Sequence, residues 1–219
     1  TPVLKWASSE TTNLRLLAYA ASKKKPILMA TGMCDMADIQ DAVTVFGKAG
    51  NDELVLLQCV SNYPTDPQDI HLRVMNTLHQ AFQCPIGFSD HSLGIALAPA
   101  AVALGACVIE KHFTLSRSLV GPDHSYAIEP QELKEMVRHI REVEQALGSP
   151  VKSLHAEEIK WGRRDGLYAG RDLEKGERLK EGDWTIARPA RGMRSRFAPL
   201  VKGGKLAHSL KKGEPLLWQ

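Results

Sequence analysis

Five times in its first 148 residues the chain passes from a short apolar run to an amphipathic helical stretch, and this alternation restricts its fold more than any single motif. The apolar runs are Val3–Ala7, Pro26–Thr31, Glu53–Val60, Pro85–Phe88 and Ala106–Ile109. The helical stretches are Asn13–Ser22, Asp35–Gly47, Asp69–Phe82, Leu93–Leu104 and Pro130–Leu147. Strands joined through helices pair in parallel, so the pattern predicts a parallel sheet covered by helices. Each run ends in a polar cluster: KWASSE, ATG, VSN, SDH and EKH. Repeated polarity at strand ends suits a barrel rim, where α/β barrels carry their chemistry. No GxGxxG follows any run, which argues against an open dinucleotide-binding sheet. Five strands cannot close an eight-stranded barrel, so either the sheet is open or three strands lie outside this chain.

The stretch from Pro85 to His124 concentrates the chemistry. Two strands joined by one helix become parallel neighbours about 4.8 Å apart. His91 and His112 then stand at their carboxyl ends, with the carboxylates of Asp90, Glu110 and Asp123 nearby. Two neutral imidazoles converging there suit a divalent transition metal that keeps open positions. Two unrelated structural histidines are the competing reading. Glu110, two residues before His112, shares its strand face and points into the same space. A buried acid needs a partner, which is either a site cation, a proton in transit or a core salt bridge.

After Gly148 the texture changes. Residues 149–163 read as a polar linker, and residues 164–219 as a loop-rich β domain of about 55 residues, near the lower limit for independent folding. Its expected strands are Leu167–Ala169, Trp184–Ala187 and Leu216–Trp218, separated by the turns LEKGE, LKEGD and LKKGE. The basic loop Arg188–Arg196 is a candidate anion binder or simply a solvated loop. A net charge of +3 over 219 residues, without basic runs interleaved with aromatics, excludes nucleic acid as the expected partner. Four cysteines without CxxC spacing predict reduced thiols and a cytoplasmic protein. No apolar stretch is long enough for a membrane span, and no signal peptide precedes the first strand.

The strings KPILMATGM, LQCVSNYPT, GFSDHSLG, ALGACVIEKHFTL and GPDHSYAIEPQELKEMV closely resemble the sialic acid synthases, including N-acetylneuraminate synthase. AGRDLEKGERL and IARPARGM resemble the antifreeze-like (SAF) domain that follows their barrel. The resemblance covers essentially the whole chain. It implies a (β/α)8 TIM barrel of which residues 1–148 carry strands four to eight, then the SAF domain at 164–219. By that comparison strands one to three are absent, and the chain alone is expected to be inactive.

The resemblance further implies condensation of phosphoenolpyruvate with N-acetylmannosamine or a related hexosamine, giving a nine-carbon 2-keto sugar acid and phosphate. It assigns a divalent metal, Mn2+ with Mg2+ or Co2+ as substitutes, to His91 and His112. Glu110 and Asp123 become the catalytic carboxylates, and Lys5, Ser8, Ser61 and Ser89 match positions that bind phosphoenolpyruvate. Arg188 matches an arginine that reaches the partner's sugar in a homodimer with swapped SAF domains; neighbouring Arg191 blurs that assignment. Ala30 stands where the family generally has serine, removing one hydroxyl donor, and Trp6 and Ser9 also depart from it. Other phosphoenolpyruvate-dependent synthases, or a non-catalytic carbohydrate-binding or assembly module, are the alternatives.

Overall fold

A computed structural model describes residues 1–160 and 164–218. The chain divides into two compact units, Thr1–Gly148 and Ser149–Gln219. In the first, β1 (Leu4–Trp6), β2 (Ile27–Ala30), β3 (Leu54–Cys59), β4 (Ile86–Asp90) and β5 (Val108–Lys111) form one parallel sheet in sequence order. The helices are α1 (Leu14–Ala21), α2 (Met36–Lys48), α3 (Pro67–Ile70), α4 (Val74–Phe82), α5 (Leu97–Ala103) and α6 (Pro130–Leu147).

The sheet curls into a half-barrel. If it were flat, β1 and β5 would lie roughly 19 Å apart at four strand spacings. Yet Lys5 Nζ on β1 approaches Glu110 Oε2 on β5 to 3.4 Å, across the concave side. Side-chain alternation separates the two faces. Trp6, Ile27, Met29, Leu54, Leu56, Ile86 and Phe88 point outward into the main core with the helices. On the concave face the strand register aligns Ala30, Leu57, Gly87 and Val108 in one apolar row, and Cys59, Ser89 and Glu110 in the next. Ala30 and Leu57 are buried there, so the sheet's own side chains fill its lower interior. Gly87 is required: a Cβ would lie 2.5 Å from Leu57 Cδ2 and 2.6 Å from the Val108 carbonyl.

Several expected boundaries move for identifiable reasons. The stretch Asp69–Phe82 is two helices, because Asp66 caps α3 with Pro67 at its first turn and His71 then adopts φ +49°. The helix expected from Leu93 begins only at Leu97, since Gly94 at φ +72° keeps the preceding loop non-helical. β4 and β5 reach two residues further than their apolar runs. Pairing extends into Ser89 and Asp90, which are buried, and into Glu110 and Lys111, which are half-buried, and each histidine directly follows its strand. Helix α6 spans Pro130–Leu147 as expected and ends at Gly148 with φ +47°.

In the second unit β6 (Gly166–Ala169) pairs antiparallel with β7 (Trp184–Ala187). A core of Leu167, Ala169, Leu173, Leu179, Val201, Leu210 and Leu216 lies beneath. Leu216–Trp218 is not a strand: Pro215 makes one bridge to Tyr168, and Leu216 exchanges single backbone bonds with Leu167 and Met193. Proline's missing N–H interrupts a ladder at that point. The linker is not wholly irregular, since α7 (Ala156–Lys160) lies within it; Trp161–Arg163 fall outside the described residues.

The three turns are one device used three times. The glycines of LEKGE, LKEGD and LKKGE have φ of +84°, +97° and +85°. The residue after each glycine returns its N–H to the carbonyl three residues back, in Glu177, Asp183 and Glu214 alike. The carboxylate of that same residue accepts the N–H of the residue three before it, at 3.0, 2.7 and 2.8 Å. At Asp183 the Lys180 N–H, assisted by Arg171 at 2.9 Å, holds the carboxyl below the usual aspartate range despite burial. A lowered folded value makes this stabilisation complete above the unfolded pKa of about 4, and it is lost as pH falls through the folded value. Thermal unfolding of Asp183→Asn is therefore expected to show a smaller acid-induced loss than the parent chain. Equal losses between about pH 7 and pH 2.5 would remove Asp183 from that role. Among the described residues, no helix is long and apolar enough to cross a membrane.

Candidate active site

The carboxyl ends of the strands bring most of the expected residues together. Ser89, His91, Glu110, Lys111 and His112 line one hollow. The two imidazole centroids lie 5.3 Å apart, in an edge-to-face arrangement. His91 Nδ1 lies 2.8 Å from the Val60 carbonyl, which can only accept. The Nδ1 proton is thereby fixed, and Nε2, 3.5 Å from Ser89 Oγ, keeps its lone pair toward the hollow. Burial pulls His91 toward neutrality, but the Cys59 sulfur, the Val60 carbonyl and Glu110 outweigh it and raise its pKa. His112 goes the other way, lowered by burial and by the charge of His91 against Asp123 and Glu110.

A second group of donors adjoins the histidines. Ser8 Oγ accepts the Gly32 N–H at 2.9 Å and lies 3.6 Å from Cys59 Sγ, which is 3.8 Å from His91 Nδ1. Burial works against the Cys59 thiolate, yet hydrogen bonds from His91 and Ser8 bring its pKa below the usual value. A Cβ on Gly32 would stand 2.3 Å from Ser61 Oγ and 2.9 Å from Ser8 Oγ. The space that glycine leaves is thus walled by two hydroxyls. Among the described residues, Ser61 Oγ and Glu110 Oε2 are buried atoms that find no hydrogen-bond partner. The Lys5 ammonium is close enough to Glu110 to pair with its charge but is not aligned to donate. An unmatched polar atom at these strand ends is a place where a ligand can bond.

Two aromatic residues complete the rim and escaped the sequence reading. The Tyr63 ring lies 4.2 Å from His91, 5.7 Å from His112 and 6.0 Å from Tyr126. Tyr126 donates its hydroxyl to Asp123 Oδ1, and burial with that bond pushes its pKa up to about 12. Asp123 Oδ2 is 3.8 Å from His112 Nδ1. Both tyrosines sit in strings already singled out, VSNYPT and GPDHSYAIEP, but only the fold shows that their rings meet.

Two residues singled out in the sequence face away from the hollow. Asp90 is not available to a metal beside His91. It faces away with Lys111, paired at 2.9 Å with side chains 0% and 4% exposed. Alternation explains this, because Ser89 and His91 take the concave face and leave Asp90 the other. Trp6 belongs to the outer core and donates Nε1–H to the Glu10 carbonyl at 3.0 Å. Arg188 belongs to the second unit, where its Nε donates to Asp165 Oδ1 at 2.5 Å. Ala30 lies in the apolar row below the donors, so the expected loss of a hydroxyl falls among Leu57 and Cys59.

Among the described residues, no group of three or more His, Cys, Asp and Glu side chains is arranged to hold a metal ion. What the chain offers is the imidazole pair of His91 and His112. Two such nitrogens suit a divalent ion that takes the rest of its coordination from ligand or solvent.

A curled parallel sheet with a polar cradle at its carboxyl ends, followed by a small β unit, defines a barrel-type α/β protein with its candidate site on the rim. The chain belongs to the NeuB family, whose profile matches residues 1–152, and it carries a SAF domain matched at residues 164–219. It is 42% identical to the N,N'-diacetyllegionaminic acid synthase of Legionella pneumophila, over 99% of this chain and 62% of that protein. It is 45% identical to the human N-acetylneuraminate-9-phosphate synthase, over 70% of this chain and 43% of that one. The crystal structure of N-acetylneuraminic acid (sialic acid) synthetase from Leptospira borgpetersenii superposes with a TM-score of 0.68 at 36% identity. That superposition covers 73% of this chain and 56% of that one. The chain thus spans less than two thirds of these relatives.

Proposed function

We propose that this site condenses phosphoenolpyruvate with an N-acylated hexosamine, N-acetylmannosamine or a close relative. One carbon–carbon bond forms, one water is consumed, and phosphate and a nine-carbon 2-keto sugar acid are released. The observation that carries this reading is the set of polar side chains at the strand ends, Ser8, Ser89, the two histidines and the Lys5–Glu110 ion pair, with Ser61 Oγ and Glu110 Oε2 buried and making no hydrogen bond. The hydroxyls of Ser8, Ser61 and Ser89 with the Lys5 ammonium bind the anionic cosubstrate from three strand ends, Lys5 and Ser8 sharing one. Glu110 holds or moves a proton, and the Lys5 charge beside it keeps its carboxylate paired when the site is empty. Asp123, fixed by Tyr126, orients a sugar hydroxyl.

His91 and His112 hold the divalent ion, Mn2+ or in its place Mg2+ or Co2+. When bound, that ion supplies Lewis-acid polarisation of the sugar carbonyl. The activity test uses the longest form of the protein that its gene encodes, with phosphoenolpyruvate, Mn2+ and either N-acetylmannosamine or its diacetamido or 6-phosphorylated relatives. Phosphate release is expected, with a product whose mass is that of the two substrates plus one water less one phosphoric acid. Absence of any such product with all of these acceptors overturns the reading.

The histidines give a separate prediction. His91→Ala and His112→Ala should each abolish turnover, and each should weaken Mn2+ binding, read by electron paramagnetic resonance of the free ion, by at least about tenfold. Unchanged Mn2+ affinity in the double variant would remove the metal from this pair.

A further inference from the structure

The second unit carries a concentration of charge that the reaction above does not use. One hollow there is lined by Arg164, Asp165, Arg188, Arg194, Ser195 and Arg196, with a single carboxylate among four guanidiniums. That carboxylate is already engaged, since Asp165 Oδ1 accepts from Arg188 Nε. Arg194 and Arg196 instead share an aromatic platform, their guanidiniums 5.5 and 4.6 Å from the centroid of Phe197.

Like charges on a free loop would splay apart into solvent. Here the backbone prevents it. The Leu167 N–H bonds the Met193 carbonyl at 2.9 Å, Gly166 bridges Arg194, and the Ser195 N–H bonds the Asp165 carbonyl at 3.0 Å. The crowding is felt electrostatically: burial, then the charges of Arg196 and Arg164, lower the pKa of Arg194. A fold that fastens mutually repelling groups around a hollow violates local preference, and such violations concentrate at functional sites.

We propose that this hollow is a binding site for a dianionic phosphate group, held by Arg164, Arg194 and Arg196 together with the Ser195 hydroxyl. Three guanidinium forks and a hydroxyl supply more donors than one carboxylate can accept. They match the three outer oxygens and double charge of a phosphate. The chemistry is shared by inorganic phosphate and by phosphate monoesters. This assignment stands apart from the condensation proposed for the first unit.

The test follows the arginine Nε–Hε resonances of the intact chain by NMR during titration with inorganic phosphate, with glucose 6-phosphate, and with sodium chloride at matched ionic strength. Saturable shifts at Arg194 and Arg196 with either phosphate, absent with chloride, are expected. Arg194→Gln/Arg196→Gln should weaken the site, read at the Arg164 resonance, by about tenfold or more. Tighter binding of the ester than of inorganic phosphate would identify a sugar-phosphate-like ligand. Equal binding would identify free phosphate as sufficient. Shifts that are linear, or the same with chloride, would overturn the proposal, and the parent-chain titration decides this even if the double variant does not fold.

Discussion

Lys111→Met is expected to destabilise the first unit by roughly 3–5 kcal/mol, the usual cost of leaving a buried charge without its partner. The Lys111 ammonium donates to Asp90 Oδ2 at 2.9 Å and to the Ser92 carbonyl at 2.6 Å. Asp90 Oδ1 in turn accepts the Ser92 N–H at 2.9 Å and the Ser92 hydroxyl at 2.6 Å. Removing the lysine strands a carboxylate whose side chain is 0% exposed. The double variant Asp90→Leu/Lys111→Met should recover much of the loss, because hydrophobic replacement of both partners removes the uncompensated charge. Urea unfolding of the single and double variants measures this, and equal stability of Lys111→Met and the parent would contradict it. The network also grips the backbone on both sides of His91. The single variant should therefore weaken Mn2+ binding under conditions where the chain remains folded.

Gly32→Ala is expected to remove cosubstrate binding while leaving the fold intact. The new methyl would stand 2.3 Å from Ser61 Oγ, 2.9 Å from Ser8 Oγ and 3.2 Å from Cys59 Sγ. Both serine side chains are short, so they can yield only by rotating out of the cradle. Loss of two hydroxyl contacts corresponds to about 2–3 kcal/mol, a 30- to 150-fold weaker affinity for phosphoenolpyruvate. Isothermal titration with phosphoenolpyruvate, beside an unfolding curve, separates the two effects. Parental affinity in a folded Gly32→Ala chain would show that the cradle is not where the phosphate or carboxylate sits.

The fold was legible in the sequence wherever local chemistry repeats. Strand-to-helix alternation located five parallel strands, and Pro130 with Gly148 located both ends of α6, because those signals are short-range. Strand ends were less legible, since β4 and β5 run on through SerAsp and GluLys. Ser89 and Asp90 are buried, and Asp90 forms with the Lys111 side chain an ion pair that no apolar count reveals. His91, His112 and Glu110 emerged from spacing on neighbouring strands, which depends only on the two-residue period. Asp90 misled for the same reason: it is near in sequence and on the opposite face. Tyr63 and Tyr126 come from different loops, and only the fold brings their rings together. All three turns of the second unit were legible as turns, but the device they share was not, because it is a carboxylate after a left-handed glycine closing back on the backbone.

The apolar row formed by Ala30, Leu57, Gly87 and Val108 has a consequence for selectivity. It is a floor, and a molecule seated on the serines and histidines cannot extend beneath it. Ligands that share a reacting end but differ in length or decoration can vary only toward the connections above the strands. Discrimination among such relatives is then a property of those connections rather than of the sheet. One half-barrel can accept a series of acceptors through loop changes alone, with the donor rows left untouched.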